Sequence, residues 1–225
     1  AETTVEGVDI WPFSHNVALG KWCDIVISTP MQMNRVKGKP TFIIKHNMNN
    51  EPLNNFSGKG VIFCAEHVRK LGEYGAARSF VWRPMNRYEG TTLRGRQNGY
   101  VGMVNCNQNK GGEKLIQLAK MMPDTMFLVV LGAYDRQIMD TTLANVLYMK
   151  SVPEMAFYYQ QMSALLILSH REGCPTVAQE AMSFGLPVIS FQLDGVKEVC
   201  KDAGIYCNNV GVVMKAIESN PPLIN

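Results

Sequence analysis

The apolar residues of this chain fall into short unbroken runs separated by polar loops. Residues 23–28 (CDIVIS), 40–45 (PTFIIK), 60–64 (GVIFC) and 79–82 (SFVW) are such runs in the first part. Residues 100–104 (YVGMV), 126–131 (MFLVVL), 144–149 (ANVLYM), 164–168 (ALLIL) and 186–191 (LPVISF) follow in the second. Four to six residues are too few for an average helix, and runs without polar alternation suit strands buried on both faces, so parallel strands are predicted. Between them, apolar residues recur at helical spacing: Leu115, Ile116, Leu118 and Ala119 in 113–122, and Val177, Ala178, Ala181 and Met182 in 175–184. Shorter helices are predicted at 65–72, 155–162 and 211–218. Near the start, 5–10 reads as a strand and 11–16 as a loop, where His15 reads first as an ordinary loop histidine and second as a substrate contact. Strands alternating with helices give an α/β class with parallel sheets. The polar, glycine-containing stretch 88–98 (YEGTTLRGRQN) divides the chain into an N-terminal lobe, 1–90, a linker, 91–98, and a C-terminal lobe, 99–225.

The densest chemistry lies in 163–200, where a strand, a helix and a strand follow one another. The helix opens after Glu172-Gly-Cys-Pro-Thr176. Unpaired N–H groups and the positive end of the helix dipole make such a start an anion site, so the backbone at Gly173, Cys174, Pro175, Thr176 and Val177 suits a phosphate or diphosphate. Glu172 precedes the turn, and Glu180 lies one turn beyond Thr176 on the same face. Carboxylates accept hydrogen bonds and repel phosphate, so their partners around a nucleotide diphosphate are hydroxyls, on a sugar at one end and a ribose at the other. The loop 105–112 and the helix after it form a second anion site, at which Lys110 is a point charge.

These residues resemble a known family. E-G-C-P-T-V-A-Q-E is similar to the Glu-x7-Glu signature of retaining glycosyltransferases of the GT-B fold, family 4, and A-M-S-F-G-L-P-V-I-S to its continuation. Gly195-Val-Lys-Glu198 resembles a G-G-x-x-E segment with Asp194 at the first glycine, and Asp202-Ala-Gly204 the next element. In the first part, 43–46 (IIKH), 61–66 (VIFCAE) and 81–86 (VWRPMN) stand where that family's N-terminal domain has related strands. The resemblance implies two Rossmann-like lobes, the N-terminal one reduced, since about 85 residues leave no counterpart for the usual first strand and glycine-rich loop. It implies transfer of a sugar from a nucleotide-diphosphate sugar, a UDP-sugar above all, to an acceptor hydroxyl, without metal and with no cofactor besides that co-substrate. By the same resemblance His46, Glu172 and Lys110 form the catalytic set. Glu180, residues 173–177, Gly132, Met149 and Val152 bind the donor, the last two packing on the base beside the loop 150–155. In the family's G-R-x4-K-G element, Lys110-Gly111 matches the second half, whereas Asn105 stands near the arginine.

Composition narrows the alternatives. No apolar run approaches the roughly 20 residues that span a bilayer, and the start lacks a signal pattern. The six cysteines form no C-x-x-C pair, as expected of reduced thiols in a cytoplasmic enzyme. No Asp-x-Asp, dinucleotide or P-loop fingerprint is present. Residues 1–98 carry 13 Lys/Arg against 8 Asp/Glu, and 99–225 carry 9 against 11. The excess between Arg35 and Arg96 reads as a solvated surface or as a face for an anionic acceptor. The acceptor therefore stays open between a modified base in DNA, as in virus-type DNA glycosyltransferases, and a lipid or glycan at a membrane surface to which the enzyme is peripheral. A non-catalytic sugar-nucleotide-binding subunit is the third reading.

Overall fold

The computed structural model describes residues 3–5, 8–10, 23–28, 39–46, 58–71, 78–219, 221 and 223. The chain divides into two compact units, Ala1–Arg83 and Pro84–Asn225. In the first, β1 (Thr3–Val5) and β2 (Val8–Ile10) pair antiparallel, so the stretch read as one strand is shared between two. The loop at 11–16 and His15 lie outside the described residues. The four apolar runs become β3 (Val26–Ser28), β4 (Thr41–Lys45), β5 (Gly60–Phe63) and β6 (Arg78–Val81), all parallel and side by side in chain order. The central strands β4 and β5 bury Ile43, Val61 and Phe63 completely. Helix α1 (Glu66–Lys70) follows β5, with Glu66 in its first turn paired to Arg69 one turn on.

The second unit is a six-stranded parallel sheet. Its strands are β7 (Tyr100–Val104), β8 (Phe127–Leu131), β9 (Val146–Lys150), β10 (Met162–Ile167), β11 (Val188–Phe191) and β12 (Gly204–Cys207), in the spatial order β12-β11-β10-β7-β8-β9. The chain builds outward from β7 to β8 and β9, then returns to lay β10, β11 and β12 on the other side. The order reverses between β7 and β10, and open α/β sheets bind ligands at the carboxyl ends of strands at such a switch point. The connections carry α2 (Gly112–Met121), α3 (Ala156–Tyr159), α4 (Thr176–Ser183), α5 (Asp194–Cys200) and, after β12, α6 (Val210–Glu218).

Alternation along the strands makes two cores. Phe127 and Val129 face Leu115 and Leu118 of α2 and Val213 and Ile217 of α6. Leu128 and Val130 face the layer of α4 and α5, with Ala178, Ala181, Phe184 and Val196. Both faces are covered, which is why these strands are continuously apolar in the sequence.

Particular side chains set where elements begin. Asn145 was read inside a strand, but it is buried and its amide donates to the carbonyls of Ala119 and Met122 at 3.0 Å and of Thr125 at 3.1 Å, so β9 starts only at Val146. The stretch 84–98 is packed on the second unit. Asn86 Nδ2 donates to Gln179 O at 3.0 Å and to Ser183 Oγ at 2.7 Å. Gly95 N donates to Phe184 O at 2.8 Å, and Arg96 N to Met162 O at 2.7 Å. A Cβ on Gly95 would lie 2.8 Å from the backbone oxygen of Met162, so the approach requires glycine. Among the described residues, no helix is long and apolar enough to cross a membrane.

Candidate functional site

The loop after β7 is shaped by asparagines and held from across the sheet end. Asn105 is buried and left-handed, with φ 64°, a conformation that asparagine tolerates better than most residues. Its Oδ1 accepts from Asn107 N at 3.1 Å and from Gln137 Nε2 at 3.0 Å. Gln137 Oε1 in turn accepts from Cys106 N at 3.0 Å and Gly132 N at 2.9 Å. One glutamine thereby joins the loops that leave β7 and β8. Asn105, at the place of the family's arginine, is spent on the loop itself. Asn107 Oδ1 accepts from Lys110 N at 2.9 Å, and Gly111 follows at φ 88°. A Cβ there would sit 2.3 Å from Leu168 O, so only glycine lets α2 begin this close to the end of β10.

On the other side of the switch point, β10 runs into Leu168-Ser-His-Arg-Glu172. Glu172 is 9% exposed. Its Oε1 receives the Lys110 ammonium at 2.7 Å and the Ser169 hydroxyl at 2.5 Å. The pair joins the loops after β7 and β10, 62 positions apart in the chain. Beneath it, a Cβ on Gly195 would lie 2.3 Å from Glu172 O and 2.6 Å from Gly173 O, so the first turn of α5 supports the loop through a glycine.

Helix α4 starts from Pro175, whose backbone is extended, and no side chain caps it. The amides of Thr176 and Val177 have no protein acceptor among the described residues, as at any helix start without a cap. A cavity of about 330 Å³ opens here. Lys110 and Glu172 line it together with Cys174, Pro175, Thr176 and Val177, and Gly132, Tyr134 and Ser151 complete its wall toward β8 and β9. The structure thus brings together Lys110, Glu172, Gly132 and the start of α4.

The other residues singled out in the sequence lie apart from that lining. Glu180 is one turn further along α4, half-buried, and its Oε2 accepts the Tyr159 hydroxyl at 2.6 Å. Tyr159 is fully buried, and burial together with the Glu180 charge pushes its phenol well above the ordinary range. Met149 is half-buried against the core on the α4 side, and Val152 is exposed, so Ser151 between them is the residue facing the cavity. His46, in the first unit, is exposed one residue past the end of β4. Gln137 and Tyr159 escaped the sequence reading, because each acts through a partner far along the chain; Ser169, three residues before Glu172, has a side chain that no motif singles out. Among the described residues, no group of three or more His, Cys, Asp or Glu is placed to hold a metal ion.

A half-buried ammonium on a buried carboxylate, a helix start and a cavity at the switch point suit an anionic ligand that also carries hydroxyls. Residues 94–219 match the family described as Glycosyl transferases group 1, more than half of the chain. The chain belongs to that family. A curated relative, an uncharacterized glycosyltransferase of Haemophilus influenzae, is 32% identical over 121 residues, covering 47% of this chain and 34% of its own length. Among solved structures, Anabaena Alr3699/HepE in complex with UDP-glucose matches 90% of this chain and 71% of its own, with TM-score 0.70 and 13% identity. The crystal structure of TarM matches 87% of this chain and 47% of its own, with TM-score 0.67 and 14% identity. These likenesses give the chain the GT-B type of fold, with two Rossmann-like lobes built on parallel sheets. The chain spans about a third of the curated relative it matches, and half to under three quarters of these structures.

Proposed function

We propose that the second unit binds a nucleotide-diphosphate sugar, a UDP-sugar first of all, and that the chain belongs to a metal-independent, retaining glycosyltransferase of family 4. The observation that carries this reading is that Lys110, Glu172 and the uncapped start of α4 line one cavity at the switch point. Group 1 membership and the UDP-glucose held by the HepE structure support it. The diphosphate lies on Lys110 and the amides of Thr176 and Val177. The nucleoside extends past Gly132 and Ser151 beside β8 and β9, with Glu180 at its ribose, and Glu172 meets the sugar hydroxyls. In transfer, the bond from the anomeric carbon to the diphosphate oxygen breaks and its electron pair stays on the diphosphate. The acceptor oxygen bonds to the same face of that carbon, and its proton passes to the departing phosphate oxygen. The growing phosphate charge is met by helix amides already in place, the kind of preorganised electrostatics that supplies most catalytic stabilisation, and by the Lys110 ammonium once it turns from Glu172 to the phosphate. No cofactor besides the donor enters this scheme. By the family resemblance, His46 is the proposed contact to the transferred sugar or acceptor.

The test is a panel of nucleotide sugars scored for release of nucleoside diphosphate by hydrolysis, which needs no knowledge of the acceptor. One donor is expected to be hydrolysed well above its rate in buffer. A second reading, a non-catalytic sugar-nucleotide binder, is favoured by Asn105 being spent on its loop, which leaves Lys110 with less help at the phosphates. Nucleotide binding without hydrolysis or transfer would decide for it. For the acceptor, steep salt dependence of duplex DNA binding points to a DNA base, and sedimentation with anionic vesicles to a membrane glycan or lipid.

A further inference from the structure

We infer that Tyr159 is a positioning residue for Glu180 and, through it, sets the preference of the site for a ribose over a sugar lacking the 2′ and 3′ hydroxyls. The inference rests on the donor-site reading above. Tyr159 is the last residue of α3 and is 0% exposed. Its ring is held by two others. Tyr88 lies edge-on with centroids 6.1 Å apart, and Phe184 lies tilted at 5.3 Å. Tyr88 and Phe184 meet each other edge-on at 5.2 Å, which closes the cluster. A phenol fixed this way has one direction left for its O–H, and that direction is Glu180 Oε2 at 2.6 Å.

The consequence falls on Glu180. A glutamate on a helix surface has several rotatable bonds, and ordering them costs conformational entropy. The Tyr159 hydroxyl meets that cost before any ligand arrives and leaves Oε1 oriented, with no protein partner among the described residues. An oriented carboxylate oxygen distinguishes a sugar with hydroxyls to donate from one without them, because the donated hydrogen bond is charge-assisted. Burial and the neighbouring carboxylate push the phenol up, which keeps it a donor near neutral pH. Tyr88 differs from Tyr159 in what it holds: its hydroxyl donates to Glu154 Oε1 at 2.5 Å and leaves Glu180 alone.

Affinities of the full chain for UDP and for 2′,3′-dideoxy-UDP test this, expressed as a ratio. The wild-type chain is expected to prefer UDP by about tenfold or more, the range of a charge-assisted hydrogen bond. Tyr159→Phe and Tyr159→Met, two variants that guard against one failing to fold, are expected to bring the ratio to about threefold or less. Glu180→Ala abolishes the preference, and Tyr159→Phe adds nothing further in that background. Val188→Ala, in the same core but outside the ring cluster, leaves the ratio unchanged while the melting temperature falls. An unchanged ratio in the Tyr159 variants, or an equal collapse in Val188→Ala, overturns the role of Tyr159 and spares the donor site. No measurable UDP affinity in the wild-type chain overturns the donor-site reading and this inference with it.

Discussion

Replacing Lys110 by methionine separates the two jobs of the Lys110–Glu172 pair. The substitution removes the ammonium 2.7 Å from Glu172 Oε1 and leaves a carboxylate that is 9% exposed without it. Breaking one side of a buried ion pair costs about 3–5 kcal/mol. The Lys110 side chain is 27% exposed, so water screens part of the attraction, and the expected loss of stability is about 2–3 kcal/mol. Adding Glu172→Gln removes the buried charge and keeps an oxygen for the Ser169 hydroxyl, so the double variant recovers to within about 1 kcal/mol of the wild type. Binding behaves differently. Losing the ammonium at a phosphate weakens UDP by about 10- to 100-fold in Lys110→Met and in the double variant alike. Glu172→Gln alone binds UDP at least as well as the wild type, since the carboxylate no longer competes for the ammonium, while donor hydrolysis falls by orders of magnitude. Urea titration should be followed by far-UV circular dichroism, because the second unit holds no tryptophan. Calorimetry with UDP gives the affinities. A double variant as unstable as Lys110→Met, or full UDP affinity in Lys110→Met, refutes the reasoning.

Gly195→Ala places a Cβ 2.3 Å from Glu172 O; overpacking of this kind costs about 1–3 kcal/mol, and both the melting temperature and the UDP affinity should drop, whereas an unchanged affinity would detach α5 from the donor loop. Gln137→Ala leaves the amides of Cys106 and Gly132 without their acceptor, at about 1–3 kcal/mol, and hydrogen exchange at those two amides should quicken ahead of the rest of the sheet. Burial pushes the Cys200 thiol up to about 12. Its folded value lies above the ordinary thiol value of about 8.5, so its contribution to stability is complete below that pH and is lost as pH rises toward 12. Between roughly pH 9.5 and 11 the wild type should lose about 1.4 kcal/mol per pH unit more than Cys200→Ala, measured as urea midpoints across that range; parallel slopes would refute the assignment.

The parts of the fold that were legible are those where burial on both faces wrote itself as continuous apolar runs. Strands β7, β8, β10 and β11 are of this kind, and so are helices α2 and α4, whose apolar positions recur on one face. Helix α5 was missed because Asp194-Gly-Val-Lys-Glu-Val-Cys200 is short and half polar, and its glycine is there for the approach to Glu172 O rather than for helix formation. Strand β12 was missed because GIYC is a four-residue edge strand with little to distinguish it from a loop. The stretch 88–98 looked like a linker since its residues are polar, yet Tyr88 is buried and Gly95 hydrogen-bonds to Phe184. At the site, Lys110, Glu172 and the start of α4 were legible from spacing and helix-end chemistry. Their pairing was not, because it joins loops that are neighbours only once β7 and β10 lie side by side. The same holds for Tyr159, which precedes Glu180 by 21 positions and is brought to it by the packing of α3 and α4. Cavity walls are set by which side of a strand end a residue leaves from, and this is why Ser151 rather than Met149 or Val152 faces the cavity.

The central claim concerns where an anion sits and what holds it, and a crystal structure of the full chain with UDP tests it most directly. Phosphate oxygens are expected within hydrogen-bonding distance of the Lys110 ammonium and of the Thr176 and Val177 amides, with that ammonium turned away from Glu172. UDP bound elsewhere, or bound while Lys110 still rests on Glu172 Oε1 and α4 faces only water, would contradict it.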